Sequence, residues 1–403
     1  MQKFSARQYL QLDIANNYGD KLDKKTWNER LDWFECNEKN LMNLLDKAEN
    51  PALFYAGVKA LEAVNKSEPI GYPVSLDATS SGLQILAVLT GDDQAAKICN
   101  VLETGKREDA YTAVYQRMLE EIGENGKIDR SDVKDAVMTS LYGSKAVPKR
   151  VFGDGSLLRV FQRVMAEMAP AAWELNQMML DIWDPEALSN DWVLPDNFHV
   201  HVKVMAQAKE RIHFLNEPID TFYKINAPIE EGRSLGANMV HSIDGMMVRE
   251  ITRRCDYQQS KIDKIIRICF TEWNDPGEYE DNRNNRLVLA LWEQFQKTGF
   301  LSARILDHIT AENIHMIDRM EIHRLIESLP KKPFKVIAIH DCFRCLPNYM
   351  NDLREQYTRQ LMLIAKSNLL ESILSQIMGK GVSIGKLNPL MWEKVMDSNY
   401  ALS

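Results

Sequence analysis

Apolar residues recur at helical spacing through most of the first seventy positions. "KKTWNERLDWFECNEKNLMNLLDKAE" carries that spacing, and "NPALFYAGVKALEAV" opens on a proline-marked turn, so both predict amphipathic helices. The pattern then changes. "YPVSLDATSSGLQILAVLTGDD", residues 72–93, passes from a short apolar strand through a Ser/Gly turn into a helix. Helical periodicity dominates from 92 to 183, with breaks at "NGK" and "GDGS". A short β region is expected around "WVLPDNFHVHVKVM", and "LGANMVHSIDGMMVREITRRC" predicts a helix or helix pair with an embedded polar face. Residues 250–332 are charged, helix-rich and glycine-poor, with an acidic break at "NDPGEYEDNRNN". A strand over 335–340, a helix through 350–378 and a tail ending "DSNYALS" follow. The layout is mainly helical with a few strands, and Asp77 and Asp341 both stand at strand ends.

The 403 residues leave room for two or three domains or one large one, and 45% hydrophobic with 26% charged residues is an ordinary soluble composition. No apolar run reaches the roughly 18 residues needed to span a bilayer, and "MQKFSARQYL" lacks a signal-peptide layout. A cytosolic protein without membrane contact is expected. The six cysteines lack the dense spacing of a disulfide framework. Net charge is 49 − 57 = −8, which argues against a chain that grips duplex nucleic acid over its whole surface and leaves room for a local basic channel. The stretch 126–163 is such a locale, with eight Lys/Arg against four Asp.

"KVIAIHDCFRCLPN", residues 335–348, offers two kinds of chemistry. Cys342 and Cys345 could be a redox pair or half a zinc site. No second Cys-x-x-Cys or His pair lies near enough in sequence to complete four ligands, since His199 and His201 are far away, so the pair reads as inert thiols. Asp341 ends an apolar strand, as Asp77 does 264 residues earlier. Each alone reads as a turn aspartate or helix cap. Together they would suit Mg²⁺, which takes oxygen ligands and leaves room for substrate phosphates, and a two-metal site for phosphoryl transfer. In "DRSDVKDAVMTSLYGSK" (129–145), Arg130, Lys134, Met138 and Tyr142 step by four and predict one stripe on a helix. Lys134 to Tyr142 spans ~12 Å at the helical rise, about the length of a nucleoside triphosphate. Gly143 would leave space for a template base.

These stretches resemble a known family. "R-x3-K-x7-Y-G" is similar to motif B of right-hand polymerases, and "LDATSSGLQ" and "IHDCF" to motifs A and C of the single-subunit, bacteriophage-type (T7-like) RNA polymerases, in the order A, B, C. "EDAYTAVYQRM", "WVLPDNF", "NMVHSIDG" and the terminal "DSNYALS" resemble further family segments, and the likeness covers residues 8–249 and 333–403. It implies an α+β fold: a right-hand palm with an antiparallel sheet, and helical fingers. The implied divisions are palm entry helices and motif A over 1–91, fingers with motif B over 92–240, a palm helix and helical insertion over 241–332, and motif C with a C-terminal foot over 333–403.

The resemblance implies residue roles as well. Asp77 and Asp341 would be catalytic and would hold two Mg²⁺ ions with the Ala78 carbonyl. Arg130 and Lys134 would hold the triphosphate, and Tyr142 and Gly143 would end the fingers helix. Tyr111 and His241 would lie near the sugar and primer end, with His340 beside Asp341. Gly82 stands where related DNA polymerases carry a glutamate that excludes a 2′-hydroxyl, so ribonucleotides are favoured. The implied activity is DNA-templated RNA synthesis in the cytoplasm of an infected bacterial host; the rivals are a DNA polymerase or primase-like enzyme and a catalytically silent scaffold. The family carries a triphosphate-binding lysine a few residues before the stretch similar to "IANNYG"; the nearest equivalent here is Gln11, which leaves that contact unmatched. The family's promoter domain, thumb and upstream palm have no counterpart, so the chain is similar to the larger subunit of the split, two-chain polymerase of N4-type phages. A second subunit carrying thumb and upstream palm, a DNA template, an RNA product, ribonucleoside triphosphates and a phage recruitment factor are the expected partners.

Overall fold

The computed structural model describes residues 1–123, 127–232, 234–270 and 281–403; the expected breaks at "NGK" and "NDPGEYEDNRNN" fall partly outside them. Three helices open the chain: α1 (Ala6–Tyr18), α2 (Trp27–Asn37) and α3 (Pro51–Asn65). Capping boxes start the first two, Ser5 with Gln8 and Thr26 with Glu29, and Pro51 occupies the first position of the third, where a missing N–H costs nothing. β1 (Val74–Asp77) follows, then α4 (Ser81–Thr90) and α5 (Asp93–Ile98). From Gly82 to Thr90, α4 is buried on every side, as a helix without a polar face must be.

A helical block comes next: α6 (Ala110–Ile122), α7 (Arg130–Ser140), α8 (Ala146–Phe152), α9 (Ser156–Met168) and α10 (Pro170–Asp181). The strand-rich stretch after it is larger than the sequence suggests. β2 (Ser189–Val193) pairs with β3 (His199–Lys203), and β4 (Met205–Phe214) pairs over ten residues with β5 (Glu217–Asn226). The second hairpin turns on Leu215 and Asn216, both at positive φ (49° and 65°), in place of the Asn-Gly that would have announced it. α11 (Ser234–Cys255) is one helix, not a pair.

The segment between Cys255 and Phe334 carries α12 (Gln259–Phe270), α13 (Arg283–Thr298) and α14 (Arg319–Glu327) around its own core, which includes Ile265, Val288, Leu291, Ile305, Ile314 and Ile322. Its entry and exit meet, since the Phe334 N–H donates to the Cys255 carbonyl at 2.8 Å. β6 (Ile337–Ile339), β7 (Cys342–Cys345), α15 (Met350–Lys366), α16 (Leu369–Ile377) and α17 (Trp392–Val395) close the chain. The expected single helix over 350–378 breaks at Ser367, whose extended backbone ends α15. The fold is thus α+β: helices around small antiparallel sheets, with the three-stranded sheet in the order β1-β7-β6. Among the described residues no helix is long and apolar enough to cross a membrane.

A buried ionic network joins α11 to the "WVLPDNF" loop and to the 256–332 segment. The fully buried Asp196 carboxylate accepts from Arg249 (2.6 Å) and Arg253 (3.0 Å), and its carbonyl accepts from Arg304. Glu250, also buried, accepts from Arg253, the Ser302 hydroxyl and the Ala303 N–H. Burial raises the Asp196 carboxyl, but Arg249 and Arg253 outweigh it and hold it below the usual carboxylate range. Such a group stabilises the fold above its unfolded pKa and loses that contribution as pH falls through its folded one. Removing one partner from a buried pair costs about 3–5 kcal/mol. Asp196→Asn is therefore expected to lower the thermal midpoint clearly at pH 7, with the gap to wild type shrinking as pH drops below about 4. A gap that stays constant across a scanning-calorimetry pH series would contradict this.

Candidate active site

β1 and β7 pair antiparallel with Asp77 opposite Cys342. That register brings Asp341, the residue just before Cys342, to the same end of the sheet as Asp77. Asp341 sits in the two-residue loop of the β6–β7 hairpin, where Ile339 pairs with Cys342. His340, the other loop residue, has φ +55°, a left-handed conformation such short loops require and non-glycine residues seldom adopt. The loop is fastened to the segment after β1 by the Ala78 N–H, which donates to the Asp341 carbonyl at 3.0 Å. On its other side the Asp77–Thr79 backbone is fastened to the terminal segment: Ser403 N–H donates to the Asp77 carbonyl (2.9 Å), Ala78 bridges Leu402, and Thr79 N–H donates to the Ala401 carbonyl (3.3 Å). Tyr400 anchors that segment by stacking on the buried Trp27 at 5.5 Å, and the Trp27 indole N–H donates to the Asn399 carbonyl.

Asp77 is exposed and Asp341 half-buried. Burial, and then the charge of Asp77, push the Asp341 carboxyl up; a backbone hydrogen bond and His340 act the other way. A third carboxylate joins them that sequence reasoning missed. Asp244 on α11 is pushed up to about 6, first by burial and then by the charge of Asp341. It lies in "NMVHSIDG", three residues after His241 and so on the same face of α11.

The second wall is built from α6, α7 and α11. Asp109 caps α6: one carboxylate oxygen accepts from the Tyr111 and Thr112 N–H groups, and the other pairs with Arg130 at 2.5 Å. The Arg130 Nε donates to the Thr112 hydroxyl at 2.7 Å, so Arg130 is already engaged. Lys134 is exposed and makes no ion pair among the described residues; its Nζ lies 5.8 Å from the Tyr111 ring centre. The helix stops at Ser140, so Tyr142 does not extend the Arg130–Lys134–Met138 stripe on the helix itself, as the four-residue step predicted. The cause is Gly143, whose φ of +82° ends the helix in a Schellman motif, with Ser144 N–H on the Thr139 carbonyl and Gly143 N–H on the Ser140 carbonyl.

Released from the helix, the Tyr142 ring lies 4.9 Å from the His241 ring and against Gly82. A Cβ on Gly82 would stand 2.6 Å from the Tyr142 hydroxyl oxygen, closer than any real contact allows. The phenol is pushed up to about 12 by burial and then by the charge of Asp244. Tyr111 donates to or accepts from the Ser80 hydroxyl at 3.4 Å. Asp77, Ala78, Gly82, Tyr111, Tyr142, His241, His340 and Asp341 thus line one region, with Arg130 and Lys134 along α7 beside it. Gln11 lies in α1.

Residues 4–152 match the family model described as DNA-dependent RNA polymerase, a span that holds Asp77, Ala78, Gly82, Tyr111, Arg130, Lys134, Tyr142 and Gly143. A probable DNA-directed RNA polymerase of Gelasinospora sp. (strain G114) is 24% identical over 384 residues, covering 87% of this chain and 41% of that protein. One of Neurospora crassa is 30% identical over 359 residues, covering 83% and 36%. The chain is similar to DNA-directed RNA polymerases. It spans well under half the length of these polymerase relatives.

The thiols do not compete for this site. Cys345 is buried and its thiol pushed up by burial, and Cys342 is pushed up to about 12 by burial and by Asp77. Among the described residues no group of three or more His, Cys, Asp or Glu could hold a metal; His201 pairs with Asp191 on the surface instead. What the strand ends offer is the Asp77 and Asp341 carboxylates and the Ala78 carbonyl, oxygens only, with the Asp244 carboxylate near enough to feel the charge of Asp341. That donor set fits Mg²⁺, which binds through one or two carboxylates plus substrate phosphates, and not zinc. Mn²⁺ titration followed by electron paramagnetic resonance is expected to show Asp77→Asn and Asp341→Asn weakened about tenfold or more, at least as much as losing a supporting partner costs. Cys342→Ser with Cys345→Ser should bind as wild type. Equal loss in the cysteine variant would return the metal to the thiols.

Proposed function

We propose that this chain is the catalytic part of a DNA-directed RNA polymerase of the single-subunit, bacteriophage type, joining ribonucleotides on a DNA template with two Mg²⁺ ions. The observation that carries the reading is the pairing of β1 with β7, which brings Asp77 and Asp341 to one end of the sheet, with the Tyr142 ring against Gly82 at the start of α4. In this reading the three-stranded sheet is the palm, entered through 1–91 and completed by 333–403. Residues 92–240 are the fingers, and 241–332 hold a palm helix and an inserted helical module.

When bound between Asp77, Asp341 and the Ala78 carbonyl, Mg²⁺ would supply charge stabilisation for in-line displacement. The rest falls to the chain's own side chains. Lys134, exposed and without an ion pair among the described residues, takes the triphosphate. Arg130 joins it by leaving Asp109 or keeps α6 and α7 in register through that pair. Tyr142 and His241 form the sugar wall, with Tyr111 below, and His340 flanks Asp341. Gly143 frees the Tyr142 ring and leaves room for the template base. A DNA polymerase or primase is disfavoured because a side chain at Gly82 that excluded a 2′-hydroxyl would collide with Tyr142. A silent scaffold would have no use for two repelling carboxylates at one strand end.

The thumb and upstream palm belong in this reading to a second subunit, and a phage recruitment factor directs the pair to DNA in the infected bacterial cytoplasm. Primer extension on a DNA template tests it. Wild-type chain coexpressed with the second subunit should elongate, Asp341→Ala in the same complex should not, and the chain alone should be far slower. Elongation by Asp341→Ala would refute the active site, and full speed from the chain alone would refute the split.

Sugar choice gives a finer test. Tyr142→Phe keeps the ring against Gly82 and removes one hydroxyl, a hydrogen bond worth roughly 0.5–1.5 kcal/mol, or about a threefold to tenfold change in preference. Deoxynucleotides should be used that much more readily with little loss of ribonucleotide rate. Unchanged discrimination would remove Tyr142 from sugar selection.

A further inference from the structure

Gln84, the fourth residue of α4, is fully buried and is the most connected side-chain amide near the carboxylates. Its Nε2 lies 3.0 Å from the Thr79 hydroxyl, 3.0 Å from the Cys99 carbonyl and 2.9 Å from the Ala401 carbonyl, and its Oε1 accepts from the Tyr357 hydroxyl at 2.6 Å. The two carbonyls can only accept, which fixes the NH₂ on their side and the oxygen toward Tyr357. Four separate pieces of chain therefore meet at one amide: the turn after Asp77, the end of α5, the terminal segment and α15.

Two of those pieces are the ones that hold Asp77 and Ala78 in place. Thr79 is bound twice more, its hydroxyl to the Cys99 carbonyl at 2.9 Å and its N–H to the Ala401 carbonyl. The Ala401–Ser403 segment in turn takes the backbone of Asp77 and Ala78. Turning that segment by a few degrees would swing the Ala78 carbonyl and the Asp77 carboxylate away from Asp341. A core residue of the same size could fill the space, but only an amide satisfies two carbonyls and a hydroxyl at once.

We propose that Gln84 is a positioning residue for nucleotidyl transfer: through Thr79 and Ala401 it sets the turn that aims Asp77 and the Ala78 carbonyl at the metals. It does not touch substrate. The proposal rests on the polymerase reading of the site, and the wild-type control separates the two: a wild-type complex that never extends a primer sinks that reading, whatever Gln84 does.

The test uses Gln84→Met, which keeps the bulk and removes the polar atoms, and Tyr357→Phe, which removes the hydroxyl that donates to the amide oxygen and leaves the contacts of the NH₂ group. In the complex that extends primers, Gln84→Met should lower kcat about tenfold with KM for ribonucleotides within about twofold. Its Mn²⁺ affinity, read by electron paramagnetic resonance without nucleotide, should fall at least threefold. Tyr357→Phe should shift both in the same direction by about twofold to fivefold. A role confined to stability would lower the thermal midpoint and the active fraction but leave kcat per active site and Mn²⁺ affinity at wild-type values, and that result overturns the proposal. If Gln84→Met does not fold, Tyr357→Phe decides: unchanged kcat and Mn²⁺ affinity there overturn it equally.

Discussion

Eight residues in two strands govern the site. β1 and β7 are four residues each, paired so that Asp77 faces Cys342. Because side chains alternate along a strand, a slip of one residue would send Asp77 to the opposite face of the sheet and separate it from Asp341. So short a ladder cannot hold its own register against two carboxylates that repel. The register is held from outside, by α1, whose buried Asp13 carboxylate accepts from the Ser75 N–H of β1, by the hairpin loop at His340, and by the 401–403 segment along residues 77–79. The aromatic stack of Tyr400 on Trp27 ties that last segment to the opening helices, so residues almost four hundred apart in sequence share one site.

The same logic explains the second wall. Gly143 ends α7 so that Tyr142 leaves the helical path, and Gly82 lacks the Cβ that would keep the phenol out. Two glycines from different motifs thus define where one aromatic ring can stand. Asp109 does two jobs with two oxygens, starting α6 with one and pairing Arg130 with the other. Farther out, Asp196 and Glu250 tie the strand-rich stretch and the 256–332 segment to α11, the helix that carries His241 and Asp244.

Much of this was legible in the chain. Strand–Asp patterns at 77 and 341 gave the carboxylates, and the spacing from Arg130 to Gly143 gave the helix beside them, because each depends on local apolar periodicity and turn chemistry. What depended on distant contacts was not legible. The β4–β5 hairpin was missed because its strands lack alternation with a polar face and its turn is Leu-Asn. Asp244 was passed over because nothing near it in sequence shows that Asp341 lies opposite. The Arg130 pair with Asp109 joins residues 21 apart across two helices, and a stripe on one helix cannot reveal it. Tyr142 continues the four-residue step in sequence, but Gly143 immediately after it ends the helix before that position.

The central claim is that residues 77–78 and 341 hold divalent ions together. Iron(II) substituted at that site generates hydroxyl radicals that cut the backbone nearest the metal, so the cut positions report the ligands directly. Cleavage of the wild-type chain, mapped by mass spectrometry, should fall at two places, around residues 76–80 and around 339–342, and should vanish when excess Mg²⁺ is added. Cleavage at only one of these places, or chiefly around His199–His201, would contradict the account.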